Sequence, residues 1–143
     1  MPIAPVLAPA GYVPEHAVAF GSQDGPAIPV DYANPLPTAL TVVAATSVAI
    51  TGTSAASTTV GPLFPQLGRA IWLTLGGTWT GTARLLRSID GGTNRLPLTI
   101  GGQDWALFTG NCNEAVAEET VSGATYYLSL TIASGTVAYQ VSQ

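Results

Sequence analysis

The chain has 143 residues, of which 47% are hydrophobic and only 8% are charged, and its formal net charge is −4. That length predicts about one domain, with enough residues for a core without disulfides. Four arginines and no lysine against eight acidic residues argue against binding to nucleic acid or to an anionic membrane surface. We expect neighbouring chains to cover part of this apolar surface, the alternative being a monomer with a surface of small residues.

The first predicted element, residues 1–38, is an extended N-terminal arm. It holds eight of the eleven prolines, which fix φ, remove a backbone donor and disfavour helix and central strand. Its opening residues lack the positively charged region of a secretory signal. An arm without a core must lie on its own domain or, as we prefer, on a neighbouring subunit. The apolar residues expected to make these assembly contacts are Tyr12, Val13, Phe20, Ile28, Val30, Tyr32 and Leu36.

Residues 39–143 predict one all-β domain, an antiparallel β-sandwich of jelly-roll-like type. Apolar and polar residues alternate over short stretches between glycine-rich turns, which is typical of sandwiches and barrels. The predicted turns are 76–78, 90–93, 122–124 and 134–136. The sets predicted to share a face are Ile71, Leu73 and Leu75; Tyr126, Leu128, Leu130 and Ile132; Val137, Tyr139 and Val141; and, on a predicted strand over residues 103–109, Trp105, Leu107 and Thr109. Pro97 indicates an edge strand or a bulge, and residues 113–121 favour a strand over a helical turn.

The residue types that carry catalysis or hold metals are scarce. His16 lies in the arm and Cys112 is the only cysteine, so neither a catalytic triad nor a zinc site can be built within one domain. Glu118 and Glu119 are adjacent and must face opposite ways on a strand. We therefore predict that the protein is not an enzyme and needs no cofactor or metal. Cys112 is expected to be buried, the alternative being a disulfide with its copy in another subunit.

The stretch from Arg87 to Ile100 predicts a hairpin around Asp90, Gly91 and Gly92. The glycines supply positive φ and the aspartate accepts backbone hydrogen bonds, so a structural turn is favoured over a Ca²⁺ or carbohydrate site built on Asp90 and Asn94. Asp90 and Asp104 are candidates to meet across the hairpin. Arg87 is expected to brace the turn or to meet a neighbouring chain.

The tryptophans and two arginines are the candidate surface contacts of the domain. The tryptophans are expected to close the ends of the core or to meet another subunit, with a sugar-stacking platform as the alternative. The five candidate residues are Trp72, Trp79, Trp105, Arg87 and Arg95.

Three stretches resemble segments of tailed-bacteriophage virion proteins. Residues 72–92 read WLTLGGTWTGTARLLRSIDGG, an apolar strand, then G-x-W-x-G-T, then a strand ending in R-S-x-D-G-G. Residues 123–143 resemble the closing hairpin of such domains, and residues 33–37, ANPLP, resemble the segment that precedes them. The Asp90 turn also resembles one box of propeller proteins, but Asn94 and Arg95 follow where that box has its tryptophan.

This resemblance implies a structural protein of the virion. One placement is a capsid decoration, or cement, protein that clamps neighbouring capsid subunits through the arm and the β-domain. Its partners would be the major capsid protein and copies of itself, as a dimer or trimer, on the capsid surface after assembly in the host cytoplasm. The alternative placement is a tail-fibre, collar or adaptor subunit whose sandwich binds a host glycan.

Overall fold

A computed structural model describes residues 19–20, 28–33, 35 and 44–143. The chain divides into two compact units, Met1–Val43 and Ala44–Gln143. The described part of the first unit contains two short strands, Ala19–Phe20 (β1) and Ile28–Pro29 (β2), which pair antiparallel. Tyr12, Val13 and Leu36 of the predicted assembly arm lie outside the described residues, as does His16.

The second unit is all-β and antiparallel, as the sequence predicts, and no helix occurs among its described residues. Its strands are Ile50–Ser54 (β3), Thr58–Leu63 (β4), Ala70–Ser88 (β5), Leu96–Pro97 (β6), Thr99–Ile100 (β7), Gln103–Asp104 (β8), Leu107–Phe108 (β9), Cys112–Glu118 (β10) and Thr125–Ser142 (β11). Seven of them form one sheet, and β7 pairs with β8 outside it.

The sheet consists of four long antiparallel rows of backbone, which we call lanes, rather than many short hairpins. β5 and β11 pair along almost their whole length, from Ser88 opposite Thr125 to Trp72 opposite Ser142. β3 and then β4 follow the outer side of β11, while β6, β9 and β10 follow the outer side of β5. Pro97 therefore lies in an edge strand, where a missing backbone donor is tolerated.

All four lanes change at the same level, which we call the central break. The two outer lanes are interrupted at residues 55–57 and 109–111, and β5 and β11 continue but are irregular over residues 76–82 and 131–136. β11 shifts register between Ile132 and Ser134, and β5 carries positive φ at Gly77 and Gly81. A Cβ at Gly81 would collide with the backbone oxygen of Thr131, so only glycine permits this close approach.

Two predicted turns are wrong because of this break. Residues 76–78 and 134–136 lie inside β5 and β11, where their glycines form irregularities in continuous strands instead of chain reversals. Glycine-rich triplets suit both structures, and the pairing of two long strands selects the second. The predicted strand 103–109 is also wrong, since Ala106, with a φ of 54°, separates β8 from β9.

One face of the sheet is buried on both sides of the central break. Ile71, Leu73 and Leu75 lie on it, as predicted, and β5 continues the same face through Ala83 and Leu85. On β11 the buried positions change from even numbers, such as Leu128, to odd numbers, because the register shift adds a residue. All of these side chains belong to a single hydrophobic cluster. The predicted faces of β5 and β11 are thus confirmed.

The break divides the sheet into two halves that are referred to below. The β3–β10 half contains β3, β10, residues 70–75 of β5 and residues 137–142 of β11. The β4–β6 half contains β4, β6, β9, residues 83–88 of β5 and residues 125–130 of β11. No helix among the described residues is long and apolar enough to cross a membrane.

Candidate interaction surface

The turn after β5 is held by its own side chains. The Asp90 carboxylate accepts hydrogen bonds from the Ser88 hydroxyl at 2.7 Å and from the Asn94 backbone and amide nitrogens at 2.9 and 2.6 Å. These bonds lower the pKa of Asp90, the Asn94 backbone N–H contributing most. The Ser88 hydroxyl also accepts from the Gly92 N–H at 2.9 Å. Both oxygens of Asp90 are thus engaged within the turn.

The same turn covers the outer face of the β4–β6 half. Tyr127 points away from the core, because its neighbour Tyr126 points into it, yet only 6% of Tyr127 is exposed. The Arg95 guanidinium lies 4.1 Å from the centroid of the Tyr127 ring and donates to the Gly92 carbonyl oxygen at 3.0 Å. Gly91 and Gly92 have φ of 70° and 90°, which confirms the predicted left-handed glycines. At Gly92 a Cβ would collide with the Tyr127 hydroxyl.

Arg87 pairs with Glu119 and makes no side-chain hydrogen bond to the turn among the described contacts, while its contact with a neighbouring chain stays a prediction. Its guanidinium donates two hydrogen bonds to Glu119, at 2.6 and 3.0 Å, and the Tyr126 hydroxyl donates to the same carboxylate at 3.0 Å. Backbone N–H groups of Thr120 and Val121 complete the set of donors. The pKa of Glu119 is lowered to about 2, mainly by the hydrogen bond from Arg87. The pKa of Tyr126 is raised to about 12, mainly by burial. This bidentate pair is thus joined to the core through Tyr126.

Two clefts border Arg87 and carry much of the exposed apolar surface. One, of about 270 Å³, is lined by Ile89 and Leu96, and the other, of about 360 Å³, by Ile100, Trp105 and Val121. All five side chains are between 43% and 69% exposed. We call these five residues the cleft rim. It forms an apolar surface around one paired and largely neutralised arginine.

The outer face of the β3–β10 half has no cover from residues 89–95. The strand register places Trp72 of β5 between Ala115 of β10 and Ser142 of β11. Trp72 is 43% exposed, whereas the outward-facing Tyr127 of the other half is nearly enclosed. Within the unit Ala44–Gln143, an aromatic ring therefore lies open on the broad face of the sheet.

The three tryptophans do not form one platform. Trp79 is a core residue, 9% exposed, whose indole N–H donates to the Asn111 side chain at 2.9 Å, so of the two expected positions it takes the one in the core and not the one on the surface. Trp105 lines the cleft beside Arg87 and donates to the Val116 carbonyl oxygen at 2.7 Å. The alternation of β5 placed Trp79 on the odd-numbered, buried face, which is the signal that identifies it.

The remaining candidate residues are dispersed. Val30 and Tyr32 of the arm are exposed, and Phe20 and Ile28 lie in β1 and β2. Asp104 pairs with Arg84 at 2.7 Å and not with Asp90. Cys112 is a free, half-buried thiol whose pKa is raised by burial.

Glu118 is exposed and Glu119 buried, so the expected opposition of their side chains is confirmed. Sequence reasoning did not identify Glu119 as a partner of Arg87 and Tyr126, because alternation separates the two glutamates without saying which one faces inward. Among the described residues no cluster of three or more His, Cys, Asp or Glu side chains has the arrangement of a metal site.

No family model matches the chain, and no curated protein or solved structure matches it either. Its function therefore rests on the geometry and chemistry of the residues described above.

Proposed function

We propose that the chain is a structural protein of a bacteriophage virion, in the first place a capsid decoration protein that clamps neighbouring capsid subunits. The observation that carries this proposal is the cleft rim, five large apolar side chains exposed around two clefts on a domain with few charges. Surfaces of this kind mark contacts with other proteins. The sequence resemblance to virion proteins supports the same class.

We infer that the β-domain is a sandwich of jelly-roll-like type. The sheet buries the same face on both sides of the central break, and those residues form one cluster. A single sheet can enclose such a cluster when it folds over at its irregularities, so that its two halves pack face to face. This scaffold would hold the cleft rim rigid while the proline-rich segment 1–38 acts as the arm.

The role proposed for the protein is assembly without catalysis or a cofactor. Its partners would be the major capsid protein and further copies of this chain, as a dimer or trimer, on the capsid surface. An extended arm can add a strand to an exposed sheet edge of a capsid subunit, and the cleft rim would cover apolar surface beside it. We assign no nucleic-acid or membrane partner, and assembly would take place in the host cytoplasm.

Gold-labelled antibody against residues 44–143, applied to purified phage particles, tests the placement. Label distributed over the capsid is the expected result. Label confined to the tail or collar would favour the second candidate below, and particles without label would overturn both.

Removal of residues 1–38 tests the clamping role. We expect the shortened protein to fold and to lose its place on the particle, whereas Ile100→Ser in the full-length chain should weaken binding with the arm intact. Incorporation of the shortened protein at normal occupancy would contradict the role of the arm. Bound protein should also withstand about 1 M salt, because few charges contribute to the contact.

A second candidate is a tail-fibre, collar or adaptor subunit that binds a host glycan. The specific observation in its favour is Trp72, which is 43% exposed on the uncovered sheet face. Exposed tryptophans combine a large apolar ring with a polar N–H and are frequent in binding sites.

A further inference from the structure

The uncovered face of the β3–β10 half has a chemical composition that can be read from the strand register. Its centre is Trp72, with Thr74 next on the same face of β5. Thr74 lies opposite Gln140 of β11 and Asn113 of β10, and Gln140 lies opposite Thr51 of β3. Trp72 itself lies between Ala115 and Ser142, so small side chains leave its ring accessible from both sides.

The polar side chains on this face retain hydrogen-bonding capacity. The Thr74 hydroxyl donates to the Asn113 side-chain oxygen at 2.9 Å, which orients the Asn113 amide and leaves its N–H₂ group available for a ligand. Gln140 and Thr51 are both exposed. One aromatic ring thus shares its sheet face with two side-chain amides and two hydroxyls, all neutral. Such a set can hold a ligand that has an apolar face and several hydroxyl groups.

The charge of the face excludes one group of ligands. Thr51, Trp72, Thr74, Asn113 and Gln140 carry no charge. Glu114, opposite Leu73, belongs to the other face by alternation, and the nearest charged position on this face is Glu118, opposite Ala70 at the margin. With an overall net charge of −4, the protein offers nothing there to neutralise an anionic ligand. A ligand without charge fits this surface.

The size of the face argues against a second copy as its occupant. Four strands about 4.8 Å apart and roughly six residues long give a face of about 400 Å². A stable protein–protein contact needs about 800 Å² from each partner. A ligand of a few rings matches the available area better than a protein surface does.

We propose that this face, centred on Trp72, is a binding site for a neutral carbohydrate. The C–H face of a pyranose ring would stack on the indole of Trp72. Its hydroxyl groups would accept from the Asn113 amide and exchange hydrogen bonds with Gln140 and Thr51. This inference deepens the second candidate of the proposed function. It concerns the isolated protein, so its failure leaves the particle-labelling result unaffected.

Affinity electrophoresis of the full-length protein in native gels that contain dextran or mannan tests the proposal. We expect at least one of these neutral polysaccharides to retard the parent protein, and Trp72→Ala to weaken that retardation by about tenfold. Trp105→Phe is the matched control, because Trp105 has the same 43% exposure but lies in the cleft beside Arg87. Gln140→Ala should weaken binding partially, and alginate, an anionic polysaccharide, should not retard the protein.

Three results would overturn the proposal. The first is the absence of retardation by either neutral polysaccharide. The second is retardation that survives in Trp72→Ala while melting curves show both proteins folded. The third is a dimer of the parent protein in light scattering that becomes a monomer in Trp72→Ala, since the face would then be a contact between copies.

Discussion

The two halves of the sheet share the strands β5 and β11 but present different outer faces to solvent. In the β4–β6 half the turn after β5 lies over the sheet, and Tyr127 is enclosed beneath Gly92 and Arg95. In the β3–β10 half the equivalent aromatic, Trp72, remains 43% exposed. Alternation along the strand turns both aromatic side chains outward. The difference in their exposure therefore comes from residues 89–95, which cover the outer face of one half only. A covered outer face adds to stability, whereas an uncovered one remains available for binding.

Truncation of each of the two outward-facing aromatic side chains should give the largest difference in stability between the two halves. Tyr127→Ala removes an enclosed ring and its contact with Arg95, and we expect the free energy of unfolding to fall by about 4 kcal/mol. Trp72→Ala removes an exposed ring, and we expect a loss below about 1 kcal/mol. Urea denaturation measures both, and similar losses at the two positions would show that the outer faces are equivalent.

Glu119→Gln should cost nearly as much, because it removes a charge from the pair that Tyr126 joins to the core. Arg87 would be left without its counter-charge, and the expected loss in unfolding free energy is about 3 kcal/mol. Asp104→Asn is the control, since the Arg84–Asp104 pair is more exposed and should contribute only about 0.5 kcal/mol. A small effect of Glu119→Gln would mean that this pair contributes as little as a surface one.

Stability should also depend on pH through the same carboxylate. The pKa of Glu119 is lowered to about 2 in the folded protein from a usual value of 4.5. Its contribution is therefore complete above pH 4.5 and is lost as the pH falls towards 2, where the folded state must also take up the proton. Melting temperatures of the parent should fall steeply in this window, and those of Glu119→Gln more gently. Parallel curves would contradict the assignment.

Substitution of either glycine of the covering turn by alanine should lower stability by smaller amounts, and the two amounts should differ. Gly92→Ala adds a Cβ that meets the Tyr127 hydroxyl at a positive φ, and we expect a loss of about 2 kcal/mol. Gly91→Ala meets open space and should cost about 1 kcal/mol, from the backbone alone. For each variant, the loss measured with calcium should equal the loss measured with chelator. A calcium-dependent difference would point to a metal site at Asp90.

The sequence predicted the buried faces of the long strands better than it predicted the turns and connections. The buried faces of β5 and β11 followed from alternation, because side chains on a strand point to opposite sides in turn. Residues 76–78 and 134–136 were predicted as turns, and the strand 103–109 was predicted without the kink at Ala106. Glycine permits a turn, a bulge or a close approach equally well, so local sequence does not select among them.

The sequence by itself determined the all-β class, the predicted inward-facing residues of β5 and β11, and the left-handed turn at Gly91 and Gly92. These features depend on alternation and on backbone sterics, both of which act over a few residues. Only the tertiary structure decided that Glu119 meets Arg87, that Tyr127 is enclosed and that Trp72 stays exposed among the described residues. Those outcomes depend on which distant segments pack over each face, and contacts separated by tens of residues leave no periodic pattern in the chain.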